Sequence, residues 1–190
     1  SNDATQNGIN FGNTIRLSSL SSDDELVVGS ASHDSLFGGL SDDEIYGGLG
    51  NDQIFGGFGK DVLSGGRGAD TIILDDFTFD DKLSGGAGFD TLDLSASTDL
   101  LDLNLISFAE TFDGTISGFE KYVLPDNASK FTGTNDATTI EATGNSAQIE
   151  TGNGNDEIYS GGYNQVVTTN AGDDTVYFDG GASQFDLGEG

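Results

Sequence analysis

The sequence predicts a solenoid, a fold in which one short structural unit is stacked repeatedly along an axis. Three observations carry that reading. First, five nine-residue units run without a break from Gly29 to Ile73: GSASHDSLF, GGLSDDEIY, GGLGNDQIF, GGFGKDVLS and GGRGADTII. Each has small or glycine residues in its first half, Asp at position six and an aliphatic residue at position eight. Second, a further stretch from Gly133 to the end keeps the same nine-residue phase. Third, only 34% of the 190 residues are hydrophobic while Gly numbers 30, too little apolar material for an ordinary core.

Taken in order, residues 1–18 read as N-terminal capping strands, with Ile9-Asn10-Phe11 and Ile15-Arg16-Leu17 as the apolar runs. Residues 19–93 form a first block. Its opening unit, SLSSDDELV, places Asp24 at position six and Leu26 at position eight, with Val28 as a one-residue insertion. Leu74 and Asp75 are a second insertion, after which DFTFDDKLS and GGAGFDTLD restore the phase. Residues 94–132 break the nine-residue rule and contain the single proline, Pro125. The alternating runs Leu101–Leu105, Ile116–Phe119 and Tyr122–Leu124 still indicate strands, so this is a wider-looped section of the same solenoid and not a linker. Residues 133–190 form a second block, with Ile140, Ile149, Ile158, Val167, Val176 and Phe185 at position eight. Its position six holds Thr138, Ala147, Asp156, Gln165, Asp174 and Ser183, so the apolar phase persists while the carboxylates thin out. The final Leu187-Gly188-Glu189-Gly190 reads as the opening of another turn, which implies a piece of a larger protein.

Glycine turns that bend sharply and present Asp oxygens are hard-ligand sites suited to calcium. Units such as GGLGNDQIF resemble the repeat-in-toxin (RTX, hemolysin-type) nonapeptide, GGxGxDxUx with U a large aliphatic. The resemblance implies an all-β fold, a right-handed parallel β-roll in which six residues turn and three form a strand. Two units then make one coil, with calcium held between stacked turns by main-chain carbonyls and position-six carboxylates. An 18-residue coil would stack Asp34, Asp52, Asp70 and Asp90 along one edge and Asp24, Asp43, Asp61 and Asp81 along the other, with Asp156 and Asp174 sharing an edge of the second block. Those ten aspartates are the expected metal ligands, for about 6 to 8 calcium ions. Ser30 and Ser41 replace glycines and would strain their turns if positive φ were required there. Lys60 and Arg67 bring positive charge near two sites. The edge with Ala147, Gln165 and Ser183 is expected to bind no metal and to expose Gly161, Gly162, Asn164 and Gln165, either as turns that have simply decayed or as a contact surface for a neighbouring copy of the chain or a saccharide.

The formal net charge of -27 makes the folded form self-repelling unless cations sit among the carboxylates, and it disfavours nucleic acid, whose phosphates call for clustered Lys and Arg. No run of about 18 apolar residues exists, so membrane insertion is not expected, and the first 20 residues lack a conventional signal peptide. Cysteine is absent and His33 is the single histidine, which removes disulfides, thiolate metals and the material for familiar nucleophilic triads. At position nine, Phe37 falls one coil from Phe55 and Tyr159 one coil from Tyr177, a spacing for cross-strand stacking on the outer face or for a contact surface. The reading is therefore non-catalytic: a calcium-binding structural module of a large secreted or cell-surface protein, of adhesin or surface-layer type, folding on meeting extracellular calcium. The competing reading is the C-terminal tail of a type I secreted enzyme or toxin, such as a protease, lipase, epimerase or pore-former.

Overall fold

A computed structural model describes residues 24–75, 80–97, 102–105, 115–126 and 129–188, together with the backbone of Thr5–Gln6 and Thr14–Arg16. The described residues are all-β, with short strands paired in parallel. The chain forms two compact units: Ser1–Asp93 with Phe112–Phe119, and Leu94–Thr111 with Glu120–Gly190.

In the first unit successive strands alternate between two sheets. One stacks Leu26–Val28, Glu44–Leu49, Val62–Arg67, Lys82–Ala87 and Thr115–Ser117, beginning from Thr5–Gln6. The other stacks Thr14–Arg16, Ser35–Gly39, Gln53–Gly57, Thr71–Ile73 and Thr91–Asp93. The register gives the coil directly: Leu36 lies against Ile54 and Ile54 against Ile72, each 18 residues on. Side chains alternate across a strand, so position eight faces inward and positions seven and nine face out. Val27, Ile45, Leu63 and Leu83 form one buried column, and Leu36, Ile54, Ile72 and Leu92 the other. The Ile15-Arg16-Leu17 run is partly seen, as Ile15 pairs with Leu36; Ile9-Asn10-Phe11 lies outside the described residues.

The second unit repeats this plan. Lys121–Val123, Thr139–Ala142, Glu157–Gly162 and Thr175–Gly180 stack in one sheet, and Asp102–Asn104, Lys130–Thr132, Gln148–Glu150, Val166–Thr168 and Gln184–Asp186 in the other. Its columns are Tyr122, Ile140 and Ile158, and Leu103, Phe131, Ile149 and Val167. In the last described coil the inward Phe185 is 39% exposed. The irregular segment thus contributes strands to both units.

Two insertions inferred from the sequence resolve differently. Val28 is not inserted: it pairs with Tyr46, and Val27, not Leu26, takes the buried position opposite Ile45. Leu74 and Asp75 do lengthen their coil to 20 residues, since Leu63 pairs with Leu83 and Ile72 with Leu92. The extra Leu74 is fully buried, and so is Leu94. The inward position that follows each strand is glycine in most of the first unit, so these leucines add apolar volume where the solenoid is otherwise thin.

The expected strain at Ser30 and Ser41 is absent, as neither has positive φ. Positive φ is concentrated at the second and fourth residues of later turns, for example Gly48 and Gly50 or Gly66 and Gly68. A Cβ on Gly68 would run into the Gly50 carbonyl of the neighbouring coil, so glycine there permits both the backbone conformation and the close stacking of turns.

Candidate metal centre

The position-six aspartates form continuous ladders along the edges of the first unit. On one edge the Asp34 N–H donates to Asp52 Oδ1 (2.8 Å), the Asp52 N–H to Asp70 Oδ1 (2.8 Å) and the Asp70 N–H to Asp90 Oδ1 (2.8 Å). On the other, the Asp43 N–H donates to Asp61 Oδ1 (2.9 Å) and the Asp61 N–H to Asp81 Oδ1 (2.9 Å). The two-residue insertion leaves both ladders intact. All seven side chains are buried.

The ladder corrects one expected ligand. Asp24 is exposed. The neighbouring Glu25 occupies position six instead, its N–H donating to Asp43 Oδ1 (3.0 Å) and its carbonyl accepting from the Glu44 N–H (2.8 Å), as Asp34 does from Gln53. Glu25 lies 18 residues before Asp43, and Val27 18 before Ile45. Strict spacing was the signal for it, and the choice of an aspartate over a glutamate obscured it.

In three of these aspartates the ladder uses one carboxylate oxygen and leaves the other without a partner. Asp43 Oδ2, Asp52 Oδ2 and Asp70 Oδ2 are buried with no hydrogen-bond partner. These oxygens point at the first glycine of their own turn, where the next coil's carbonyl also arrives. A Cβ placed on Gly47 would lie 2.5 Å from the Gly65 carbonyl oxygen and 2.6 Å from Asp52 Oδ2. Carbonyl and carboxylate oxygens from two coils therefore border one small space, kept open by glycine. An unpartnered buried carboxylate oxygen beside a carbonyl is costly without a cation and well matched to one. The first turn differs slightly, because the Ser30 N–H (2.6 Å) and hydroxyl (2.8 Å) both donate to Asp34 Oδ2, leaving Asp34 Oδ1 unpartnered.

The electrostatics agree. Burial pushes the Asp43 and Asp52 carboxyls up to about 6 and Asp61 up to about 7, from 3.8. The main-chain N–H from the preceding coil opposes this rise, and neighbouring carboxylates add to it. Asp70 is raised as well, by burial against the Asp52 N–H. Among the described residues no three His, Cys, Asp or Glu side chains cluster as a metal site. Main-chain carbonyls would therefore supply most of the remaining oxygens, a donor set suited to calcium and foreign to zinc or copper.

In the second unit the expected Asp156 and Asp174 stack on one edge, with the Asp156 N–H donating to Asp174 Oδ1 (2.9 Å). Thr138 extends the ladder, giving both its N–H and its hydroxyl to Asp156 Oδ1 (2.8 Å each). Asp156 Oδ2 and Asp174 Oδ2 are again buried and unpartnered. The opposite edge is not the exposed surface expected: Asn164 is exposed and Gly161 and Gly162 are half-buried, but Gln165 is completely enclosed. Its side chain had to turn inward, because position six faces the interior in every turn of the ladder.

Outside the ladders, His33 is exposed and joined to the next coil, its Nδ1 accepting from the Asn51 N–H (3.0 Å). The aromatic pairs stack as their spacing requires: Phe37 on Phe55 at 4.4 Å between ring centres, and Tyr159 on Tyr177 at 4.8 Å.

Comparison with known families agrees with this geometry. The family model of the RTX calcium-binding nonapeptide repeat matches four copies, at residues 21–54, 42–72, 75–105 and 149–185. No curated protein matches the chain. The four matches together span more than half of the sequence, and the chain belongs to the RTX calcium-binding nonapeptide repeat family.

Proposed function

We propose that this RTX-repeat chain is a non-catalytic, calcium-dependent structural module of a secreted or cell-surface protein, of the adhesin or surface-layer kind. RTX repeats bind calcium, and the chain is a calcium-binding β-solenoid. The observation that carries the rest is the series of buried, unpartnered carboxylate oxygens facing carbonyls of the adjacent coil. With a formal net charge of -27 and few apolar residues per coil, such a chain gains much of its cohesion from the cation. It stays unfolded where calcium is scarce and folds outside the cell. Asp34, Asp43, Asp52, Asp61, Asp70, Asp81, Asp90, Asp156 and Asp174, with Glu25 in place of Asp24, are the proposed carboxylate ligands, for about 6 to 8 ions. The aromatic columns, exposed at Tyr159 and Tyr177 and half-buried at Phe37 and Phe55, offer a surface on which a neighbouring copy or a saccharide would rest.

Scattering from the chain over a calcium titration tests this. In chelator the radius of gyration should approach the ~47 Å of an unfolded chain of this length, and near millimolar calcium it should contract cooperatively. Equal compactness in both would contradict it. Protease treatment of intact source cells should remove the protein, and complete protection would refute the surface location.

A further inference from the structure

We infer that Gln165 is a built-in substitute for a bound cation, its side-chain amide holding together two turns that elsewhere in the chain are held by metal. Gln165 occupies position six, and its N–H donates to Ser183 Oγ (3.1 Å), one coil on, as the aspartate N–H groups donate along their ladders. Its side chain is 0% exposed. Nε2 contacts the carbonyls of Gly144 and Gly161 and lies 3.5 Å from that of Ala142. Ala142 and Gly144 belong to one coil and Gly161 to the next. The amide nitrogen is therefore an electropositive centre surrounded by main-chain oxygens from two stacked coils, oxygens of the kind that a cation would otherwise satisfy.

The surroundings explain the exchange of an ion for an amide. Position six on this edge is Ala147, Gln165 and Ser183, none of them anionic, and a calcium site without carboxylates is weak. Converging carbonyls still need a partner when water is excluded, and two N–H donors provide it without a net charge. The turns keep their conformation at some cost, since Ser146 (φ 64°) and Asn164 (φ 58°) are non-glycine residues with positive φ. Gln165 Oε1, by contrast, is buried without a partner, so the amide is held by its nitrogen end. The reverse orientation would gather four oxygens and would require a cation, which is the alternative the test must separate. The inference concerns the fold alone and does not depend on where the protein works.

Two variants of the full 190-residue chain decide it, with calcium stoichiometry from calorimetry and hydrogen exchange of Gln148–Glu150, Glu157–Gly162 and Val166–Thr168 as readouts. Gln165→Met, similar in size but without the amide, should bind as many ions as the parent. Its exchange in these strands should be roughly 5- to 150-fold faster, the effect of stranding buried carbonyls. Gln165→Glu should bind one ion more than the parent, lose protection in chelator and recover it in calcium. Loss of an ion in Gln165→Met would make the Gln165 oxygen a metal ligand and overturn the inference, as would parent-like exchange in that variant. If Gln165→Met fails to fold, Gln165→Glu decides alone: an added ion with calcium-restored protection supports the inference, and no added ion overturns it.

Discussion

The two units build one geometry with different means of holding a turn. In the first, both edges carry buried carboxylates, and the inward residue after most strands is a glycine that leaves room for oxygens from two coils. In the second, carboxylates line one edge only, while most of the equivalent inward positions hold a side chain, among them the buried Leu124, Ala142, Ser160, Thr151 and Thr169. Side-chain volume replaces the empty space, with the hydroxyls of Thr151, Ser160 and Thr169 buried without a hydrogen-bond partner. Lys121 also pairs with Glu141 across adjacent coils (2.7 Å), where the first unit relies on its aspartate ladders. The difference teaches that the nine-residue phase and the carboxylates are separable: position eight fixes the coil, whether or not position six carries an aspartate.

The sharpest way to break this comparison is to fill the same repeat position in each unit. Gly47→Ala puts a methyl group against Gly65 O and Asp52 Oδ2, so it should destabilise the calcium-bound chain by about 3 kcal/mol and reduce the number of ions bound. The equivalent Gly133 has Phe131 Cε1 at 3.1 Å and Thr151 Cα at 3.6 Å as its nearest obstacles, and Gly133→Ala should cost under about 1 kcal/mol. Denaturant unfolding in calcium checks both, and equal losses would remove the distinction drawn between the two inner spaces.

Ligand sharing gives the next largest contrast. Asp52 sits between two partners of its ladder, Asp34 and Asp70, so Asp52→Ala should remove two ions. Asp174 pairs with Asp156, and Asp174→Ala should remove one. Calorimetric stoichiometry showing the same loss for both would contradict shared carboxylates.

Protonation should imitate the metal in the first unit. The folded pKa values of Asp43, Asp52 and Asp61, about 6, 6 and 7, lie above the reference 3.8. The metal-free fold therefore binds protons more tightly than the unfolded chain. Its stability rises as pH falls through about 7 to 6 and levels off below the unfolded value near 4. Circular dichroism in chelator should show strand signal growing between pH 7.5 and 4.5, while calcium affinity weakens over the same range. A signal that falls with acidification would reverse the assigned sign.

Much of this was legible in sequence because one physical unit recurs. The period placed Ile54, Ile72, Ile140 and Ile158 in the core, and the 18-residue coil placed Phe37 over Phe55. What the sequence obscured were positions where residue type and spacing disagree. Asp24 is the better-known ligand, yet the coil length selects Glu25. Leu74 reads as an insertion because it breaks the phase, yet burial draws it inward. Gln165 reads as a lost ligand, and only side-chain packing reveals that its amide occupies the centre of the turn pair.

A smaller effect sharpens the outer face. Phe55→Ala and Tyr177→Ala should each cost about 0.5–1.5 kcal/mol beyond lost area, because each stacks on a single partner one coil away. Thermal unfolding in calcium measures this, and a similar cost in both units would show that the outer stacks are indifferent to how the turns are held.

The most direct test of the account is residue-level hydrogen exchange as free calcium is lowered stepwise. The strands Ser35–Gly39, Glu44–Leu49, Gln53–Gly57 and Val62–Arg67 should lose protection first, together. Gln148–Glu150, Glu157–Gly162 and Val166–Thr168 should persist to lower calcium, with Gln165 securing one of their edges. Simultaneous loss in both sets, or earlier loss in the second, would contradict the claim that the two units are held by different means.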